Sequence, residues 1–154
     1  MAGYSKRSLI DKLGIREGLR IGLVDAPRNY ASTLGRLPKN VAVTKLDPAA
    51  GAASELDFIQ VFAKARPELE TKFPLLKSRL SPRGMLWVSW PKGASKVKTD
   101  LNENIVREIA LQNGLVDVKV CAVDDVWSGL KLVYRLKDRV DLLRRATDPV
   151  RSKK

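Results

Sequence analysis

The chain has 154 residues and a net charge of +12, from 29 Lys and Arg against 17 Asp and Glu, with no histidine and a single cysteine. That length suits one domain with one core, and the missing histidine excludes serine–histidine chemistry and removes the commonest metal ligand and general acid–base group. Cys121 alone cannot build a Cys/His zinc centre or an internal disulfide, and no calcium-loop spacing is present. The expectation is a chain without metal or cofactor.

The opening Met1 to Arg7 is followed by no apolar signal core, and no apolar run approaches the roughly 20 residues that span a bilayer. A cytoplasmic protein without a membrane role is expected. Positive charge concentrates in residues 1–45, 64–98 and 131–154, while 46–63 and 99–130 are net acidic. Segregation of this kind favours anionic partners if it persists in space.

Ser5 suits the N-cap of a short helix in which Leu9, Ile10 and Leu13 share a face, and Gly14 supplies its left-handed stop. Arg20 to Asp25 reads as a first buried strand ending abruptly at Ala26-Pro27. Asn29 to Leu34 forms a brief helix, Val41 to Lys45 a second strand, and Asp47 to Ser54 a loop or frayed helix. Leu56 to Phe62 is a third strand, with Leu56, Phe58, Gln60 and Phe62 on one face and Ile59 and Val61 on the other.

Pro67, Glu68 and Glu70 suit the first turn of a helix striped by Leu69, Phe73, Leu76 and Leu80, which Pro74 is expected to kink. Leu80-Ser-Pro-Arg-Gly84 is a tight turn into a strand from Met85 to Trp90, apolar on both faces as in a parallel strand between helix layers, and Pro91 stops it. Asp100 and Glu103 form a capping box for a helix striped by Leu101, Ile105, Val106, Ile109 and Ala110 and ended by Gly114. Two strands follow, Leu115 to Val123 and Gly129 to Leu136. Their short link from Asp124 to Ser128 demands an antiparallel pair. A basic helix from Lys137 to Thr147, apolar through Leu136, Val140 and Leu143, ends the domain.

Strands alternating with helices and closing on a hairpin predict a single α/β domain over 1–147, with a basic tail over 148–154. Its architecture is a three-layer, Rossmann-like, mostly parallel sheet ending in an antiparallel β-hairpin. Over residues 13–136 the order resembles the class I methyltransferase version of that fold, carried by Leu13-Gly-Ile-Arg-Glu-Gly18 before the first strand and Leu80-Ser-Pro-Arg-Gly84 before the fourth. Met85 to Lys92 with Val116 to Val133 also looks like an uncharacterised family of small bacterial proteins, a domain of unknown function. That match implies a fold and no activity.

One departure from the methyltransferase pattern bears on function. Where those enzymes place a glycine-rich loop after the first strand, this chain has Asp25-Ala-Pro-Arg-Asn-Tyr30, in which Pro27 lacks a backbone donor and Arg28 adds bulk. Asp25 matches the acidic position, and Asp47 is the nearest acid after the second strand. The segment between the second and third strands is too short for another strand–helix unit. The resemblance so qualified implies a trimmed sheet without S-adenosylmethionine-dependent activity.

Ligands on open parallel sheets bind at the carboxyl ends of the strands. The candidates there are Asp25, Asn29 and Tyr30 after the first strand, Ala63 and Lys64 after the third, Trp90, Lys92 and Ser95 after the fourth, and Asp124, Asp125, Trp127 and Ser128 in the hairpin. Trp90 and Trp127 would supply an aromatic wall, Lys92 a cation, and Asp124 and Asp125 acceptors. The structural alternative packs both tryptophans under the hairpin, pairs Lys92 with Asp125, exposes Asp117 and Lys119 on one face and leaves Cys121 an inert small hydrophobe.

The expected function is a non-catalytic module binding a small ligand or protein at this rim. Two alternatives stand beside it. One is a sequence-indifferent nucleic-acid-binding protein with Arg144, Arg145, Lys153 and Lys154 as phosphate contacts. The other is a transferase with an unorthodox cofactor loop, in which Asp25 and Asn29 contact the ligand and Lys92 or Asp125 moves the proton.

Overall fold

Among the described residues, helices and strands follow one another as α1 (Leu9–Leu13), β1 (Arg20–Val24), α2 (Tyr30–Leu34), β2 (Ala42–Lys45), β3 (Leu56–Phe62), α3 (Arg66–Ser78), β4 (Leu80–Pro91), α4 (Glu103–Gln112), β5 (Leu115–Ala122), β6 (Trp127–Tyr134) and α5 (Leu136–Thr147). This is a computed structural model that describes residues 7–50 and 55–147. The strands form one sheet in the order β2-β1-β3-β4-β6-β5. β1, β2, β3 and β4 pair in parallel, and β6 runs antiparallel to both β4 and β5. Only β6 is reversed, because the four-residue link between Ala122 and Trp127 allows no crossover.

Alternation along the strands divides the apolar residues between two faces. Ile59 and Val61 of β3, Leu86, Val88 and Trp90 of β4, and Leu130 and Leu132 of β6 pack with Leu69, Phe73 and Leu76 of α3 and Val106, Ile109 and Ala110 of α4. Phe58 and Phe62 of β3 and Met85 and Trp87 of β4 pack on the opposite face with Ile10 and Leu13 of α1 and Tyr30 and Leu34 of α2. The first face thus carries long amphipathic helices and the second only two helices of five residues each. Trp87 anchors that thinner layer: it is fully buried, and its Nε1 donates to the Leu13 carbonyl at 3.0 Å.

Local chemistry differs from the sequence expectations at several ends. The cap of α1 is Ser8, whose hydroxyl accepts from the Asp11 amide; Ser5 lies outside the described residues. Gly14 ends this helix at φ 82°. α4 is capped by Asn102, which accepts from the Ile105 amide, because Asp100 is used elsewhere: its Oδ1 accepts from the Arg66 amide at 2.6 Å, at the first turn of α3. Leu80 is the first residue of β4 and not part of the α3 stripe, and α3 is a single helix across Pro74. A register shift between Leu56 and Phe58 turns Leu56 to the α3 face, away from Phe58.

A second shift separates Asp117 from Lys119. Asp117 lies opposite Leu132 and Lys119 opposite Lys131, so the two side chains occupy different faces, not the shared one their spacing predicted. On α5 the expected stripe is also displaced, since Leu136 is 70% exposed and Leu142 is the residue packed on the core. Thr147 ends α5, and the tail 148–154 lies outside the described residues.

Candidate functional site

β1 ends at Val24, and the next residue, Asp25, takes φ 57°, a left-handed conformation that aspartate tolerates better than most side chains. The turn directs the exposed Asp25 carboxylate toward α3. There Lys72 Nζ donates to Asp25 Oδ2 at 2.5 Å, and it lies 3.6 Å from Glu68 Oε1 one turn earlier on the same helix. Partial burial pulls the Lys72 pKa down, but the hydrogen bond and charge of Asp25 outweigh it, and Lys72 is held above the ordinary lysine value.

This ion pair divides an open cleft at the carboxyl edge of the sheet. On one side is a cavity of about 490 Å³ lined by Asp25, Pro27, Phe62, Lys64, Glu68, Lys72 and Trp127. On the other, a cavity of about 410 Å³ is lined by Val24, Asp25, Lys45, Leu46, Asp47, Pro48 and Lys72. Both are of ligand size. Asp47 Oδ1 accepts from the Ala49 amide, which fixes the carboxylate at the mouth of the smaller cavity.

The aromatic wall of the larger cavity is built in depth. Phe62 meets Trp127 edge-on at 5.1 Å between centroids, and Tyr30 edge-on at 4.8 Å. The Tyr30 hydroxyl donates to Gln60 Oε1 at 2.5 Å, and Gln60 Nε2 donates to Ser89 Oγ at 3.0 Å, a chain that ties α2 to β3 and β4 beneath the cleft. Gln60 and Ser89 are fully buried, and burial drives the Tyr30 pKa well above the usual phenol range.

The structure brings together part of the predicted rim. Asp25, Lys64 and Trp127 line the larger cavity. Tyr30 is buried beneath it, and Asn29 is exposed beside α2, where its carbonyl accepts from the Thr33 amide. Trp90 does not join Trp127 as an aromatic wall: it is 6% exposed and packs on the α3–α4 face. Trp127 is the first residue of β6, opposite Pro91, and not a turn residue.

The remaining candidates hold turns. Ser95 Oγ donates to the Lys92 carbonyl, and Asp124 Oδ1 accepts from the Val126 and Trp127 amides, both at 2.8 Å, which shapes the hairpin link. The Lys92 amide donates to the Val126 carbonyl, and no ion pair joins Lys92 to Asp125 among the described residues. Asp125 is exposed, and Ser128 is half-buried opposite Trp90. Arg144 and Arg145 are exposed at the end of α5, far along the chain from the cleft. Arg145 shares a small cavity there with Asp138 and Asp141, while Lys153 and Lys154 lie outside the described residues.

Phe62, Glu68 and Lys72 also line the cleft, although none of them stood among the sequence candidates. The only local signal was Glu68 and Lys72 at i and i+4 on the flank of the Leu69–Phe73–Leu76 stripe. Nothing local connects Lys72 with Asp25, 47 positions away. No helix is long and apolar enough to cross a membrane, and no group of three or more acidic or cysteine side chains is disposed to hold a metal ion, among the described residues.

A mostly parallel six-stranded sheet, closed by an antiparallel hairpin and open at its carboxyl edge, is the Rossmann-like fold of methyltransferases. DhpI in complex with SAH superposes with a TM-score of 0.60 at 12% identity, over 84% of this chain and 83% of that one. The ribosomal protein L11 methylase of Lactobacillus delbrueckii subsp. bulgaricus gives 0.56 at 15% identity, over 82% and 75%. An SAM-dependent methyltransferase of Aquifex aeolicus gives 0.55 at 18% identity, over 80% and 86%. No family model and no curated protein matches the sequence, so the likeness to small bacterial proteins rests on Met85–Lys92 and Val116–Val133 alone.

These neighbours correct the expectation of a non-catalytic module without S-adenosylmethionine-dependent activity. Solved structures that share this fold include methyltransferases, which removes the ground for preferring a non-catalytic module to the transferase alternative. The physical obstacle raised against it is also smaller than the sequence suggested. Arg28 is exposed and lines neither cavity, so its bulk does not fill the cleft, and Pro27 forms only part of one wall.

Proposed function

We propose that this protein is an S-adenosylmethionine-dependent methyltransferase whose cofactor lies in the cleft spanned by Asp25 and Lys72. The observation that carries the proposal is the cleft itself: two ligand-sized cavities on the carboxyl edge of β1, β2 and β3, joined at one ion pair. The donor set fits the cofactor's chemistry. A ribose diol is held by a carboxylate acceptor, for which Asp47 stands after β2. A zwitterionic amino-acid end asks for neighbouring acids and bases, which Asp25, Glu68, Lys64 and Lys72 provide.

The cofactor, when bound, supplies an electrophilic methyl group on a sulfonium. Phe62 and Trp127 offer it a face of negative electrostatic potential and keep water from one side of the cleft. With no histidine in the chain, a proton released by the accepting group has the Glu68 carboxylate as an acceptor in the larger cavity. Lys72 stays protonated beside it, which keeps both flanking carboxylates oriented. The stretches Met85–Lys92 and Val116–Val133 support placing the chain among small bacterial proteins within this class.

Calorimetric titration with S-adenosylmethionine tests the proposal. Saturable binding is expected, accompanied by a rise in melting temperature equivalent to about 2.7 kcal/mol at a hundredfold excess over Kd. Asp47→Ala should weaken it. No heat and no thermal shift at millimolar cofactor would overturn the reading.

A further inference from the structure

Across the hairpin, Lys119 of β5 stands directly opposite Lys131 of β6, and Lys131 stands directly opposite Trp87 of β4. All three side chains occupy the face covered by α1 and α2. The hydrogen bond from Trp87 to the Leu13 carbonyl places α1 over this row, with Arg16 within electrostatic range of Lys131 and Lys12 and Lys119 both within range of Cys121. Four cations therefore lie around Cys121 and Lys131 of the hairpin. None of them takes part in an ion pair among the described residues.

The arrangement is unfavourable as it stands. Like charges directly opposite on neighbouring strands destabilise a sheet, and the bulge at Val118 is what creates the opposition, by turning Lys119 to the face of Lys131 while Asp117 goes to Arg107 on the other. Burial lowers the pKa of Lys131, and the charges of Lys119 and Arg16 lower it further. A polyanion resting on this face would relieve the repulsion among all four cations together.

We propose that this face docks single-stranded nucleic acid, its phosphates on Lys12, Arg16, Lys119 and Lys131, as the substrate of the cleft. On the same face of β6, Lys131 leads through Gly129 to Trp127, the aromatic wall of the larger cavity, about 13 Å away at strand rise. A strand held at the lysines therefore has neighbouring bases within reach of the cleft, with an aromatic side chain at its mouth. Phosphate contacts alone specify no sequence, so the docking is expected to be sequence-indifferent. That the docked strand is a substrate rests on the methyltransferase reading; the docking itself does not.

The test is fluorescence anisotropy with a labelled single-stranded RNA oligonucleotide, without cofactor, across a salt series. Lys119→Gln/Lys131→Gln should weaken binding about tenfold at low salt and reduce the salt slope by about 1.4, at roughly 0.7 for each phosphate no longer neutralised. The variant should melt no lower than wild type, since it removes a repulsion. Arg144→Gln/Arg145→Gln, with the same change in net charge, should bind within about twofold of wild type.

Equal weakening by both double substitutions, or none by the first, would overturn the docking face. So would displacement of the RNA by an acidic peptide at equal charge concentration. A mapped RNA face in a protein that fails to bind S-adenosylmethionine would leave the docking standing and remove only the transferase reading.

Discussion

Lys72 on α3 and Asp25 after β1 meet at 2.5 Å, and this contact links α3 to the end of β1 and separates the two cavities of the cleft. Asp25 is the more exposed partner, at 56% of its side chain against 25% for Lys72. The pair is therefore a weak structural element in a position of functional consequence. An exposed ion pair of this kind contributes about 0–1 kcal/mol.

Lys72→Met should accordingly lower stability by less than about 1 kcal/mol, because the aliphatic stem still packs, while weakening cofactor affinity about tenfold. Urea midpoints and calorimetry read the two effects separately. The pKa of Lys72 is raised from 10.5, so the pair's contribution is fully present below that value and is lost as pH rises through the higher folded one. Wild type and Lys72→Met should therefore converge in stability as pH rises into strong alkali.

Arg20 and Asp57 give a pH dependence of the opposite sign. Burial raises the Asp57 pKa, but hydrogen bonds from the Arg20 side chain and amide and the Arg20 charge outweigh it, and the folded value is depressed. Its contribution is present above the ordinary aspartate pKa of about 4 and is lost as pH falls through the depressed value. Asp57→Asn should lower the denaturant midpoint at neutral pH, with the difference from wild type shrinking in acid.

Trp87 and Trp127 should behave differently on truncation. Trp87→Ala empties a fully buried site and removes the hydrogen bond to Leu13, for an expected loss of about 3–5 kcal/mol. Trp127 is only half-buried and keeps its Phe62 contact on one edge, so Trp127→Ala should cost about 1–3 kcal/mol. Equilibrium unfolding of the two variants decides between them.

Tyr30→Phe leaves Gln60 Oε1 without its donor inside the sheet, and Gln60 is fully buried. A loss of about 1–3 kcal/mol is expected, the desolvation cost of an unsatisfied buried acceptor. Tyr30→Phe/Gln60→Leu should recover part of it, since removing both polar groups removes the mismatch. A double-mutant cycle measures that recovery.

Much of this architecture was readable along the chain. The alternation of Phe58 to Phe62, the doubly apolar Met85 to Trp90 and the short link after Ala122 specified a parallel sheet ended by a hairpin, because strand periodicity and loop length are local properties, whereas the shift that turns Leu56 to the other face was not legible. The acidic end of β1 was legible at Asp25 for the same reason. Capping was less so: Asp100 and Asn102 are both good cap residues, and only the packing of α3 against α4 assigned Asp100 to Arg66 and Asn102 to its own helix.

What the tertiary structure alone decided are relations between faces and between distant positions. Lys72 reaches Asp25 because α3, two strands later in the chain, packs on the same sheet face as Val24 at the end of β1, and one inserted residue at Val118 sends Asp117 and Lys119 to opposite faces, making a repulsive lysine pair that strict alternation would not allow. Side-chain direction along a strand has a period of two, so a single shift of register reverses it. That is why residue types and strand order could be read from the sequence, while the cleft and the basic face awaited the fold.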